Sequence, residues 1–481
     1  MESKKTPIHN LDDDSLLQIF SYYRLEDEFD WYLRLAWLEL VHVCPRWRKL
    51  IYDTWSYLDM CLLLTNNSPS IDTLSHLPPL PLVIHYSNRT RTITRKDEDN
   101  MHLALRQHDR VRQVILWAPS SSLRMWLEPM NTIFPRLGHL SLMSTTTEEM
   151  SLVLPELLRA PNLRHLSLHG IGLPKRLLSS TIALSTLSLT HIQGSCYFPP
   201  GHLVTQLQGL PHLEELSVGF AIPIPLPSSE GELLASLILP VTLPTLRWIT
   251  FLGEDVYLDN LVAQINTPFL ERLNLTLLFD LDFTLANLTE FIHRTQGFGC
   301  LVARIVFNKD GPSINAGHNE QWDTGKLNLQ VNCQPLDWQI NSAAQVCSAL
   351  GEEVLSTVKE LTLDLNANGM PPDWENRLDI TLWHELLMPF IGVKKLHISS
   401  SLTLELSRSL ESLAGGLILD LLPELQVLEV HVDVSHSEKA FSSFVETRES
   451  VGRPIDLFYD WRDPIEASNP EISTNTHHHP G

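Results

Sequence analysis

The sequence predicts an α/β protein: a small all-α N-terminal domain, then an irregular α/β solenoid with a parallel sheet. Three observations carry this reading. A unit of the form Pro-x-Leu-x-x-Leu-x-Leu recurs through the middle of the chain. Stretches with helical apolar spacing lie between its copies, such as Gly201 to Leu210, Leu258 to Ile265 and Leu285 to Arg294. Short Leu-rich helices with acidic starts precede the first copy. The expected division is 1–60 helical domain, 61–104 linking strands and loop, 105–435 solenoid, and 436–481 C-terminal cap with a disordered tail.

The helical start runs from Pro7 to Leu58. Asp12, Asp13 or Asp14 can cap free backbone N–H groups, and their charge suits the positive end of the helix dipole. Leu16, Leu17, Ile19 and Phe20 crowd apolar surface onto a short helix, and Leu38, Val41, Cys44 and Trp47 recur on one predicted helical face. Helices this short bury little by themselves, so a partner is expected. The stretch resembles an F-box: Pro7, Leu11, Leu16, Leu17, Ile19, Phe20, Val43, Cys44, Trp47 and Arg48 match the family pattern. Trp55-Ser56-Tyr57-Leu58 is similar to the tail of fungal F-box domains. Asp12 stands where the family usually has Pro, and Arg24 to Trp37 is longer and more acidic than the usual loop. The resemblance implies docking on the Skp-type adaptor of a Skp–cullin–F-box ubiquitin ligase. It implies Pro7, Leu11, Leu16, Leu17, Ile19, Phe20, Val43, Cys44 and Trp47 as the docking residues. The alternative is a helical cap on the solenoid with no ligase link.

Leu58 to Leu64 and Leu80 to Tyr86 read as strands, Asn88 to Asn100 as a polar loop, and Met101 to His108 as a short helix. The repeat follows. Clear copies end in Leu140-Ser-Leu142, Leu166-Ser-Leu168, Leu187-Ser-Leu189, Leu216-Ser-Val218, Ile249-Thr-Phe251, Leu273-Asn-Leu275, Leu361-Thr-Leu363, Leu396-His-Ile398 and Leu428-Glu-Val430. Val114-Ile-Leu116 and Ile305-Val-Phe307 are weaker. Alternation puts the two apolar residues on one face of a short strand and the residue between them on the other. The entrance Pro fixes φ. Strand plus helix at this spacing builds a solenoid in which no unit buries its apolar face unaided. Glu148 to Arg159 is also predicted helical. Ala221 to Glu230, Lys309 to Lys326 and Asn366 to Arg377 read as loops or insertions.

These copies resemble a degenerate leucine-rich repeat. The Asn or Cys that usually follows the core is missing, with Ile171 and Ile192 in the comparable place. The expectation is an irregular, leucine-rich-repeat-like arc.

The formal net charge of −22 argues against sequence-independent contact with nucleic acid or anionic membrane. The six cysteines show no Cys-x-x-Cys spacing and read as buried free thiols of a reducing compartment. The N-terminus leads into a capped helix and not an apolar signal segment, so a cytoplasmic or nuclear location is expected. No catalytic motif is present, and the chain is predicted not to be an enzyme. No cofactor is expected. His477-His478-His479 forms no defined cage, and His139, His165, His397 and His431 read as separate exposed strand residues, so no metal is assigned.

The target is expected in the groove lined by residues between the repeat leucines, namely Ser141, Ser167, Ser188, Ser217, Thr250, Asn274, Val306, Thr362, His397 and Glu429. Trp248, Arg272 and Arg304 flank this row. They combine an aromatic with two guanidinium groups, the residue types that dominate binding hot spots, and are the predicted target site.

Overall fold

The structure, a computed structural model, describes residues 7–22, 36–55, 61–65, 80–87, 93–146, 152–174, 177–221, 240–278, 285–295, 299–319, 326–333, 336–366, 380–411, 420–431 and 440–460. The acidic N-terminal middle (24–35), the Pro-rich stretch (222–230), most of the interruption after Asn366 (367–377) and the tail past Asp463 lie outside the described residues. The chain divides into two compact units: Met1–Tyr197 with Gly209–Leu213, and Phe198–Gln208 with Glu214–Gly481.

In the first unit a 3-10 turn, Pro7–Asn10, leads into α1 (Asp13–Ser21), α2 (Ala36–Val43) and α3 (Pro45–Asp53). Asp12 caps α1, its Oδ1 accepting from Ser15 N–H at 2.7 Å. The single face expected from Leu38 to Trp47 is broken. Cys44 is extended (φ −160°, ψ 163°), and Pro45, whose fixed φ suits a first turn, opens a new helix.

The strands of this unit are β1 (Leu62–Leu64), β2 (Leu82–Ser87), β3 (Val111–Ala118), β4 (His139–Ser144), β5 (Leu152–Val153), β6 (His165–His169), β7 (Ile171–Gly172) and β8 (Thr186–Ile192). The main sheet is parallel in the order β1-β2-β3-β4-β6-β8. β5 and β7 form a separate short parallel ladder. Two expectations are corrected here. The charged stretch read as a loop contains the start of α4 (Arg95–Leu105), and α5 (Ser120–Leu127) follows β3. Thr94 and Asp97 build a capping box, Asp97 N–H donating to Thr94 Oγ1 at 3.3 Å and Thr94 N–H to Asp97 Oδ2 at 2.9 Å. The charges of α4 are therefore helix start and solvent face, with Met101, Ala104 and Leu105 buried. The described part of the predicted 148–159 helix is instead β5 and a turn, Leu158 N–H bonding Pro155 C=O at 3.2 Å. Pro155 lacks the N–H an interior helical turn needs.

The second unit holds β9 (Glu215–Phe220), β10 (Val241–Thr242), β11 (Trp248–Gly253), β12 (Ile265–Asn266), β13 (Arg272–Leu278), β14 (Val302–Phe307), β15 (Ser313–Gly317), β16 (Leu327–Asn332), β17 (Glu360–Leu365), β18 (Lys395–Ile398), β19 (Val427–His431) and β20 (Asp456–Asp460). Its helices are α6 (Pro200–Leu207), α7 (Asp255–Ala263), α8 (Ala286–Arg294), α9 (Leu336–Leu355, kinked at Gly351), α10 (Ile380–Leu387), α11 (Thr403–Glu411) and α12 (Ser442–Ser450). Each helix packs on the next. Buried Asp259 of α7 reaches forward to the start of α8, accepting from Asn287 and Leu288 N–H at 2.9 and 3.0 Å.

The sheet order here is β9-β11-β13-β16-β15-β14-β17-β18-β19-β20. It is parallel except at β15, which runs antiparallel to both β14 and β16. The predicted loop from Lys309 thus contains a strand, and β16 follows it. The pattern was hidden because Ser313-Ile-Asn-Ala-Gly317 alternates with small polar residues and lacks leucine. β14 is also registered differently from the repeat reading. Ala303 and Ile305 pair with Leu361 and Leu363, so Arg304, not Val306, takes the slot between the inward residues. Beyond the last predicted repeat, β20 adds a parallel strand to β19.

The repeat leucines behave as their alternation requires. Leu140, Leu166, Leu187, Leu216, Leu273 and Leu361 are at most 1% exposed, whereas the residues between them are half-buried on the other face. The entrance prolines sit at the second position of a tight turn. Leu163 N–H bonds Ala160 C=O across Pro161 at 3.0 Å, and the same closure recurs at Leu137, Leu213, Leu246, Leu270 and Leu425. Pro at that position has its φ set in advance.

Candidate functional site

The N-terminal helices supply the first candidate surface. Spacing of four residues puts Leu16 and Phe20 on the inner side of α1, and Trp47 and Ile51 on the inner side of α3; all four are buried. Phe20 and Trp47 meet edge to face at 4.9 Å. Arg46 ties the helices at the surface, donating to Asp13 Oδ1 and to Leu11 C=O, both at 2.7 Å. Arg48 Nε donates to Val41 C=O at 3.0 Å.

The docking residues implied by the F-box resemblance therefore separate. Leu16, Phe20 and Trp47 are interior, because the helices fold onto one another and satisfy them. Leu11, Leu17 and Cys44 are half-buried. Ile19 and Val43 face solvent, at 39% and 57% exposure, with Ile8 and Tyr22 also exposed. Pro7 begins the 3-10 turn.

The sheet face of the second unit supplies the other candidate. Trp248 and Arg272 are register partners on β11 and β13, and Glu215 flanks Trp248 on β9. Trp248 is 39% exposed. Arg304 does not join them. β16 and β15 stand between β13 and β14, which separates the two arginines by three strand spacings, about 14 Å. Its guanidinium is already held by Asp364 on β17 at 2.5 Å. The register row through Arg304 reads Thr250, Asn274, Asn328, Asn315, Arg304, Thr362, His397, Glu429 and Phe458. Three asparagines in the middle make this stretch rich in amide hydrogen-bonding groups.

One cluster escaped the sequence reading. His397 on β18 opposes Glu429 on β19, and His431 lies two residues along β19 on the same face. Their ligand atoms all fall within 4.8 Å of one another. Lys395 Nζ lies 2.9 Å from Glu429 Oε2, and His431 Nδ1 lies 3.1 Å from Asp460 Oδ2 on β20. Burial pushes the His397 imidazole below its ordinary pKa, and Lys395 adds to this while Glu429 and Glu360 oppose it. The available signal was Glu-x-His spacing on one predicted strand, with a His in the equivalent slot one repeat earlier.

No cysteine among the described residues forms a disulfide, and Cys61, Cys300 and Cys347 are buried. Burial raises Cys300 to about 11 and Cys347 to about 12, far from a reactive thiolate. No helix among the described residues is long and apolar enough to cross a membrane. No protein-family model matches the chain, and no curated protein matches it.

Proposed function

We propose that this chain is a substrate-recognition adaptor of a Skp–cullin–F-box ubiquitin ligase, and not itself an enzyme. Residues 7–58 form an F-box that docks on a Skp-type adaptor and through it on a cullin scaffold. The following strands and helices form an irregular leucine-rich-repeat-like solenoid that holds a target protein, which other subunits modify. No nucleic acid or membrane is required, and the setting is cytoplasmic or nuclear.

One observation carries the reading: the N-terminal helices satisfy their inner face and still expose Ile8, Ile19, Tyr22 and Val43. Large apolar groups left exposed on short helices and at their ends are suited to burial by a partner. The parallel strands with half-buried polar outer faces support the second part, since such a face offers alternating side chains to a bound protein.

The test is co-expression of the full chain with a Skp-type adaptor, followed by affinity purification. The parent chain should retain the adaptor, and an Ile19→Asp, Val43→Asp variant should lose it while the sheet stays folded. Absence of adaptor from the parent complex would leave the chain as an interaction scaffold with a helical cap.

A further inference from the structure

We propose that His397, Glu429 and His431 form a divalent-cation site of the zinc class that clips β18 to β19. The donor set is two imidazoles and a carboxylate, which suits zinc with one position left for water. A tetrahedral zinc with bonds near 2.0–2.1 Å needs its ligand atoms about 3.3 Å apart. His397 Nδ1 and Glu429 Oε2 already stand 3.4 Å apart. The His431 ligand atom lies within 4.8 Å of both, so a side-chain shift of up to about 1.5 Å completes the triangle. All three side chains are half-buried on rigid, hydrogen-bonded strands, not on a loop.

The surroundings fit a cation. Asp460 Oδ2, 3.1 Å from His431 Nδ1, can orient that ring and leave Nε2 as the ligand, the carboxylate–histidine arrangement common behind metal-bound imidazoles. Glu360, Glu429 and Asp460 outweigh Lys395 in local charge. Lys395 competes for Glu429, but its chain is long and about a third exposed, and its register partner on β17 is Glu360. The ammonium can move to that carboxylate when a divalent ion takes Glu429.

Dialysed full-length protein carrying His477→Ala, His478→Ala and His479→Ala serves as the background, so that tail binding does not contribute. Zinc chloride is titrated in by calorimetry, and cobalt(II) is followed by its visible absorption, which distinguishes tetrahedral coordination. The background protein should take up one equivalent of zinc and give tetrahedral cobalt bands. Glu429→Gln, and separately His397→Gln with His431→Gln, should weaken this binding roughly tenfold or more and abolish the bands. Gln keeps the size of the replaced groups, and circular dichroism checks that each variant is folded; the single Glu429→Gln variant decides the matter if the double variant is not. Zinc uptake confined to the intact His tail, or one-equivalent binding of unchanged affinity in the folded variants, overturns the proposal.

Discussion

Phe20 and Trp47 pack edge to face, their ring centroids 4.9 Å apart and their planes 65° from parallel. This contact fixes α1 on α3 and turns Ile19 outward. Structural and docking roles can therefore be separated by mutation. Trp47→Ala should destabilise the helical segment by roughly 3–5 kcal/mol, seen as loss of amide-exchange protection in residues 13–21 and 36–53. Ile19→Asp should change that protection by no more than about 0.5 kcal/mol yet abolish adaptor binding. Full adaptor binding by the Ile19→Asp protein would remove the outer face of α1 from the docking surface.

The repeat strands make a second prediction. Leu166 is fully buried and Ser167 is not. Leu166→Ala should cost roughly 2–5 kcal/mol, and Ser167→Ala no more than about 0.5 kcal/mol. Urea unfolding of the two variants reads the difference. Coincident midpoints would contradict the assignment of inward and outward faces.

The leucine periodicity made the inward faces of β4, β6, β8, β9, β11, β13, β17, β18 and β19 legible, because alternation with a deep apolar side depends on local pattern. Arg304 shows where that legibility ended. Its slot is set by register with β17, where Ala303 rather than a leucine takes the inward position opposite Leu361, and a small residue there hides the repeat. The helix at Arg95 was hidden for a similar reason, since an exposed charged face resembles a loop until the Thr94–Asp97 cap is recognised. At the N-terminus, composition announced an apolar surplus in Leu16, Leu17, Ile19, Phe20 and Trp47. Which of these turn inward depends on how α1 meets α3. The His397, Glu429 and His431 cluster required register between two repeats, which no single strand encodes.

The third prediction concerns the target surface. Trp248 and Arg272 are neighbours and can act on one ligand group, whereas Arg304 lies three strand spacings from Arg272 and is engaged by Asp364 on the adjacent β17. A Trp248→Ala, Arg272→Ala variant should lose the co-purifying target and keep the adaptor. Arg304→Ala should keep both. It should also cost about 1 kcal/mol or less, since its ion pair is roughly a third exposed. Equal target loss in both variants, measured by quantitative mass spectrometry, would show that the arginines act together.

A fourth prediction follows from His169, which stacks on His191 with ring centroids 4.9 Å apart, its Nδ1 3.1 Å from Thr190 Oγ1. Burial lowers the His169 pKa below 6.5, and a charge on His191 lowers it further. The unfolded chain therefore takes up this proton first as the pH falls. Between 6.5 and the depressed folded value the unfolded state binds more protons, so the stability contributed by the neutral ring is present above pH 6.5 and declines with acidification. His169→Gln should flatten the fall in denaturation midpoint measured downward from about pH 7. An identical slope in the variant would assign the acid sensitivity to other groups.

The last prediction concerns the inserted strands. Gly311 sits before β15 at φ +126°, a conformation that L side chains rarely adopt. A Cβ there would collide with the carbonyl oxygen of Val331 and stand 2.9 Å from Cys333 N, both backbone atoms that cannot swing aside. The same turn is pinned to β16 by Val331 N–H donating to Pro312 C=O at 3.0 Å, and closed by Gly311 N–H on Asn308 C=O at 3.1 Å. Replacement by Ala thus strains the turn and pushes it off β16 together. Gly311→Ala should destabilise by more than about 1 kcal/mol, with amide protection lost first in residues 313–317 and 327–332 and retained in 395–398 and 427–431. Such a variant should retain the adaptor, because the Phe20–Trp47 packing is untouched. Undiminished protection of β15 and β16 in Gly311→Ala would mean that other contacts hold β15 on β16.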